Sequence, residues 1–218
     1  MDKDPTFAPP LSALLSSSTV QQNSLTVQPS NIAGYPNSGG LFLAGDGSWK
    51  TVGLTLITDQ KLATAAATVT FLNIPQTYRH LQVEVFGRGD NASSSVDVQF
   101  QFNNDTGANY AHEYQQIVGS AATAPISSTG RTNFIVVSLP GNTATANYFS
   151  LGSVRISEYT NAKANKTAYG AGGLWTSGPI IILASGFWAS TAAVTSIKMT
   201  ASAGNFVAGS RFTLYGLT

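Results

Sequence analysis

The stretch Val96-Asp97-Val98-Gln99-Phe100-Gln101-Phe102 alternates apolar and polar residues without a fault. That period of two belongs to a half-buried β-strand, because successive side chains of a strand point to opposite faces of the sheet. Segments of similar character recur through the rest of the chain at 54–58, 68–74, 80–86, 110–118, 133–139, 149–159, 167–175, 180–183, 195–201 and 210–217. Between them lie turn-forming clusters such as Gly87-Arg88-Gly89-Asp90-Asn91, which reads as a hairpin tip, Asn103-Asn104-Asp105-Thr106-Gly107 and Pro140-Gly141-Asn142. No segment carries an apolar stripe of period 3.6 over ten residues. So many strands with so little helix predict an all-β fold, an antiparallel β-sandwich of jelly-roll-like topology.

The first 53 residues read differently. Pro5, Pro9, Pro10, Pro29 and Pro36, the run Ser16-Ser17-Ser18-Thr19 and Asn37-Ser38-Gly39-Gly40 break any periodicity. The division expected is an extended N-terminal arm over 1–53 and a sandwich domain over 54–218. A solvated tail is the alternative for such composition, and Leu25, Val27, Ile32, Tyr35 and Leu41-Phe42-Leu43 argue against it. Where arm meets body, Gly45-Asp46-Gly47 offers a turn flanked by Phe42 and Trp49. An arm has no core of its own, so these two aromatics call for a partner surface, the alternative being a tight turn with its own local aromatic contact. Phe42, Gly45, Asp46, Gly47 and Trp49 are therefore the candidate attachment and oligomerisation residues, with a homotrimer expected.

Charge narrows the partners. Only 10% of the 218 residues are charged, against about 25% in an ordinary soluble domain. The formal net charge of +1 and the absence of any basic run argue against nucleic acid and anionic membrane. With no cysteine, disulfides, thiolate metal sites and cysteine nucleophiles are excluded. The opening residues lack the pattern of a secretory signal, and the longest apolar run, Ile180-Ile181-Ile182-Leu183-Ala184, is far shorter than the ~20 residues of a membrane helix.

Three phrases of the body and the junction carry a resemblance. Leu41-Phe42-Leu43-Ala44-Gly45-Asp46-Gly47-Ser48-Trp49 resembles the FLxGDGxW junctions of virion proteins of tailed bacteriophages. The phrase Phe71-Leu72-Asn73-Ile74-Pro75-Gln76-Thr77-Tyr78-Arg79-His80-Leu81, the turn Phe102-Asn103-Asn104-Asp105-Thr106-Gly107-Ala108-Asn109-Tyr110 and the closing Gly209-Ser210-Arg211-Phe212-Thr213-Leu214-Tyr215-Gly216-Leu217 are similar to the opening, middle and closing "GSxFxLYGI" strands of phage structural domains. The resemblance spans roughly residues 65–217. It implies a structural protein of the virion surface, assembled in the host cytoplasm: a head decoration or cement protein bound to the major capsid protein or other virion proteins, or else a short tail fibre or fibre tip that binds a host glycan. The absence of a shaft of repeats between arm and globule favours decoration.

Candidate chemistry is sparse. Arg88-Gly89-Asp90 matches the tripeptide read by integrins, and its residue types equally suit a tight turn. His112 and Glu113 are adjacent in an expected strand and so face opposite ways, which makes no dyad. Asn103, Asn104, Asp105 and Asn109 could offer oxygens to calcium, but one carboxylate is a weak beginning and an Asx-bonded turn accounts for them. The sequons at Asn91, Asn104 and Asn165 are what a chain rich in Asn, Ser and Thr contains by chance. Trp175, Trp188, Tyr159 and Tyr169 could stack on sugars or fill the core. The expectation is a protein that is not an enzyme and holds no metal or cofactor.

Overall fold

A computed structural model describes residues 41–43, 49–51 and 53–218, the first two segments by their backbone alone. Of the arm expected over 1–53, residues 1–40, 44–48 and 52 lie outside the described residues, Gly45, Asp46 and Gly47 among them. Beside that turn, β1 (Leu41–Leu43) pairs antiparallel with β2 (Trp49–Thr51). The register sets Trp49 opposite Leu43 and Phe42 opposite Lys50.

Residues 52–218 form a compact unit in which no described residue is helical. The chain runs β3 (Leu54–Lys61), β4 (Thr68–Phe71), β5 (His80–Gly87), β6 (Ser95–Phe102), β7 (Tyr110–Val118), β8 (Ala121–Ala122), β9 (Ile126–Arg131), β10 (Phe134–Pro140), β11 (Ser150–Ser157), β12 (Lys166–Trp175), β13 (Pro179–Trp188), β14 (Ile197–Ala201) and β15 (Arg211–Leu217). One sheet has the order β10-β6-β14-β4, and the other β3-β15-β5-β11-β12-β13-β7-β8, with β9 paired to β7. All pairings are antiparallel.

Set aside β7, β8, β9, β12 and β13, and eight strands remain. Counted in chain order, they lie as 1-8-3-6 in one sheet and 2-7-4-5 in the other. That is the jelly-roll order, two Greek keys wound into a sandwich. The inserted strands all join the same sheet beyond β11, so one sheet has four strands and the other nine.

Alternation fixes the core. Inward residues of β6 (Val96, Val98, Phe100, Phe102) meet those of β5 (Leu81, Val83, Val85), β11 (Val154, Ile156) and β15 (Phe212, Leu214), all almost wholly buried. Aromatic rings close the end beneath the inserted strands. Phe102 meets Phe134 and Trp188 edge-on at 5.1 and 5.6 Å, and Tyr110 stacks on Trp188 at 6.2 Å. Offset and edge-on contacts of this kind suit the ring quadrupoles.

The inserted strands need one more device. β10 crosses the inner faces of β11, β12 and β13 over Gly152, Gly170 and Gly186. A Cβ at Gly152 would fall 2.5 Å from Val137, one at Gly170 would collide with the Val136 carbonyl, and one at Gly186 with the Phe134 ring. A β-bulge between Ile135 and Val137 leaves Val136 out of the ladder, and Val136 and Val137 are both buried.

Candidate functional site

The large sheet presents an outer face of unusual chemistry. Its register sets Phe86, Leu151, Gly173, Ile181 and Ile117 side by side across β5, β11, β12, β13 and β7. The next row holds Glu84, Ser153, Ala171, Leu183 and Gln115, and the one beyond it Gln82, Arg155, Tyr169, Ser185 and Glu113. Phe187 follows one row further along β13, and Leu54 and Leu56 stand on β3. Of the twelve large hydrophobics exposed among the described residues, eight lie on this one face: Leu54, Leu56, Phe86, Leu151, Tyr169, Ile181, Leu183 and Phe187. Scattered exposed apolar residues are ordinary; a contiguous set is the mark of a surface made for contact.

The charges on the face balance. Asp59, Glu84 and Glu113 are matched in number by Lys61, Arg155 and Arg211. Arg211 grips Asp59 with Nε on Oδ1 at 2.8 Å and Nη2 on Oδ2 at 2.7 Å, and the Thr213 hydroxyl donates to the same carboxylate at 2.9 Å. Those bonds hold the Asp59 carboxyl below its ordinary range, the Arg211 bond first. Beside this ion pair the face dips into a depression of about 290 Å³ that includes Leu56, Glu84, Phe86 and Leu151.

The other candidates resolve into structure. Arg88-Gly89-Asp90 is not a hairpin tip, as its residue types suggested. β5 belongs to one sheet and β6 to the other, so the segment crosses between them. Arg88 is buried, and its guanidinium donates to the carbonyls of Thr145, Tyr148, Asn142 and Ala144 at 2.8 to 3.3 Å, pinning the crossing from β10 to β11. Asp90 accepts from the backbone and side-chain nitrogens of Asn205 at 2.7 and 2.9 Å. Two of the three residues an integrin would read are thus committed to the fold.

Asp105 is an Asx-type turn residue. One oxygen accepts the Gly107 N–H at 2.8 Å, and the other accepts Asn109 Nδ2 at 2.9 Å and Trp188 Nε1 at 2.7 Å, which together hold its carboxyl below the usual range, the Trp188 bond first. Asn103 and Asn104 beside it have φ of 52° and 55°, the left-handed region that Asn tolerates best among residues with a Cβ. Among the described residues no three of His, Cys, Asp and Glu are grouped to hold a metal ion.

His112 faces inward from β7 and is buried, while Glu113 faces outward. Among the described residues the imidazole's Nδ1 has no partner, and burial before all else, then Arg131, pushes its pKa down. Of the four aromatics considered for sugar stacking, Trp188 and Tyr159 are core. Tyr169 lies on the apolar outer face, and Trp175 stacks on the exposed Tyr148 at 5.1 Å. Asn91 donates from Nδ2 to the Ser95 carbonyl at 2.9 Å and its Oδ1 is buried, so this sequon is turned into the fold.

The apolar outer face escaped the reading of single strands. Its signal was present in Ile180-Ile181-Ile182-Leu183, a run apolar on both faces, and so a strand whose second face needs cover as the first does. Buried Lys166 gave no such signal. Its ammonium caps the carbonyls of Asn161, Ala164 and Thr191 at 2.7, 2.8 and 3.1 Å, and burial lowers its pKa. Compared with family models, with curated proteins and with solved structures, the chain shows no match in any of the three.

Proposed function

We propose that this chain is a non-enzymatic structural protein of a tailed-phage virion, a head decoration or cement protein whose arm attaches it to the particle and whose sandwich lies at the surface. The observation that carries the reading is the apolar, charge-balanced outer face of the nine-stranded sheet, a surface suited to permanent protein contact rather than to chemistry. Low charge density supports it, because many copies packed on one shell accumulate little repulsion. The phage-like phrases at 71–81, 102–110 and 209–217 supply the particle. In the sandwich they account for buried or turn positions, Phe71, Ile74, Leu81, Phe102, Tyr110, Phe212 and Leu214 among them, so they speak for a shared way of folding and not for a catalytic site.

Gold-labelled antibody against the sandwich, viewed on intact particles by electron microscopy, tests the reading. Label distributed over the head is the expected result. Label confined to the tail would instead favour the fibre-tip reading, for which the stacked and accessible Tyr148–Trp175 pair is the specific support, as a platform for a host sugar ring. Removing residues 1–40 should yield a protein that no longer joins the particle; normal occupancy by the truncated chain would place attachment in the sandwich.

A further inference from the structure

We infer that a second copy of this same chain packs on the outer face of the nine-stranded sheet, through the strip formed by Phe86, Leu151, Ile181, Leu183 and Tyr169. Three observations converge on a copy of the chain rather than another occupant. The first is charge. Three acids and three bases leave the face without net charge, so two identical faces meet without repulsion, whereas a nucleic acid, an anionic membrane or a strongly charged protein finds no complementary field.

The second is the distribution of that charge. The central strands β12 and β13 expose Thr167, Tyr169, Ala171, Ile181, Leu183 and Phe187 and no ionisable group except the Tyr169 hydroxyl, while the carboxylates, ammonium and guanidinium groups stand on the flanking strands β3, β15, β5, β11 and β7. An apolar centre with a polar rim is the anatomy of a stable interface. The third is area. Seven strands, β3, β15, β5, β11, β12, β13 and β7, at ~4.8 Å spacing and about eight residues each at ~3.3 Å make a face of roughly 34 by 26 Å, close to the ~800 Å² that each partner contributes to a standard protein interface. A single added strand or short peptide would cover only one strip of it. The depression beside the Asp59–Arg211 pair gives a protruding side chain of the facing copy a place to seat. The residues of this interface are other than Phe42 and Trp49, and the inference does not depend on where on a particle the protein sits.

Sedimentation of the full-length protein is the test. Wild type should sediment near 22.7 kDa at 1 μM and as a multiple of that mass at 100 μM. The double variant Leu151→Glu with Ile181→Glu should associate roughly a hundredfold or more weakly, because it places unpaired carboxylates in the apolar centre. Thr70→Glu, on the outer face of the four-stranded sheet, should associate as wild type does. Both substituted positions are more than half exposed, at 54% and 52%, so circular dichroism and thermal melting of the monomeric unit should be retained. Should the double variant fail that check, Tyr169→Asp, at a position 56% exposed, carries the same expectation. A wild type still monomeric at 100 μM overturns the inference, and so does an oligomer that the folded variants leave intact.

Discussion

On the outer face of the four-stranded sheet, Thr68 and Thr200 share a hydroxyl hydrogen bond at 3.3 Å, Asp97 accepts the Ser138 hydroxyl at 2.6 Å, and Thr70, Lys198, Gln99 and Gln101 fill the positions between. On the opposite outer face the corresponding positions hold Phe86, Leu151, Tyr169, Ile181 and Leu183. Both faces obey the same alternation, yet the first is mostly polar, while the second sets eight exposed large hydrophobics among its polar groups. The difference tracks the insertions. β12 and β13, which widen one sheet and not the other, supply four of the eight exposed hydrophobics: Tyr169, Ile181, Leu183 and Phe187. A jelly roll of eight strands has two faces of similar size; this one has been given a broad face, and the added strands bring half of its exposed large hydrophobics.

The largest expected effect breaks the seat on which the widened sheet rests. Gly170→Ala drives a methyl into the backbone of β10, and backbone cannot swing aside as a side-chain tip can, so unfolding free energy should fall by about 3 kcal/mol, read from urea denaturation. Gly173→Ala, three residues along the same strand but on the outer face, meets nothing closer than a carbonyl at 3.6 Å. It should be neutral or gain up to about 1 kcal/mol from reduced backbone freedom in the unfolded chain. Equal losses at both positions would erase the inner-versus-outer distinction.

A smaller loss, about 2 to 3 kcal/mol, is expected for Arg88→Ala, which leaves four carbonyls without their shared donor. Arg155→Ala removes an exposed guanidinium from the broad face and should change monomer stability by less than about 0.5 kcal/mol.

Acid should act through the histidines. Burial, first among the causes, lowers the pKa of both His80 and His112 from 6.5. The unfolded chain therefore binds protons that the folded chain refuses, and stability rises with pH through this window. It is complete above about pH 6.5 and is lost as pH falls below it. The melting midpoint should drop by a few degrees between pH 7.5 and 5. His112→Gln should flatten part of that slope, and an unchanged slope would mean that His112 carries none of it.

Smallest of all, Leu183→Thr should alter monomer stability by under about 1 kcal/mol, since its side chain is already 43% exposed, while it reduces binding of a hydrophobic dye. The same change of polarity in reverse, Gln99→Leu, should raise dye binding on the face that now lacks it.

Much of this was legible in residue order, and the reasons for what was not are physical. β6 shows period two because both its neighbours and its solvent side are ordinary, so each position has one environment. The expected strand at 180–183 runs in the structure from Pro179 to Trp188. Ser185 and Gly186 carry no strand signal of their own; Gly186 is required by the Phe134 ring above it, a demand made by a residue fifty-two positions away in sequence. β8 and β9 are short and almost wholly exposed, and their Ala, Ser, Thr and Gly carry no apolar period. Arg88 was legible as a turn neighbour and illegible as a clamp, because its four acceptors are backbone carbonyls, which every residue possesses. The candidate face could be inferred only when register placed Phe86, Leu151 and Ile181 in one row.

The chain has no cysteine, so one introduced thiol reports on one place. The decisive measurement compares the rate of thiol alkylation in Leu183→Cys, at the centre of the broad face, with that in Thr70→Cys on the narrow one, each at 1 and 100 μM protein. If identical copies pack on the broad face, the thiol at position 183 reacts at least tenfold more slowly at the higher concentration, as self-association removes it from solvent, while the thiol at position 70 reacts at one rate throughout. Rates at position 183 that do not change with concentration, in protein shown by sedimentation to be oligomeric at 100 μM, would contradict the account.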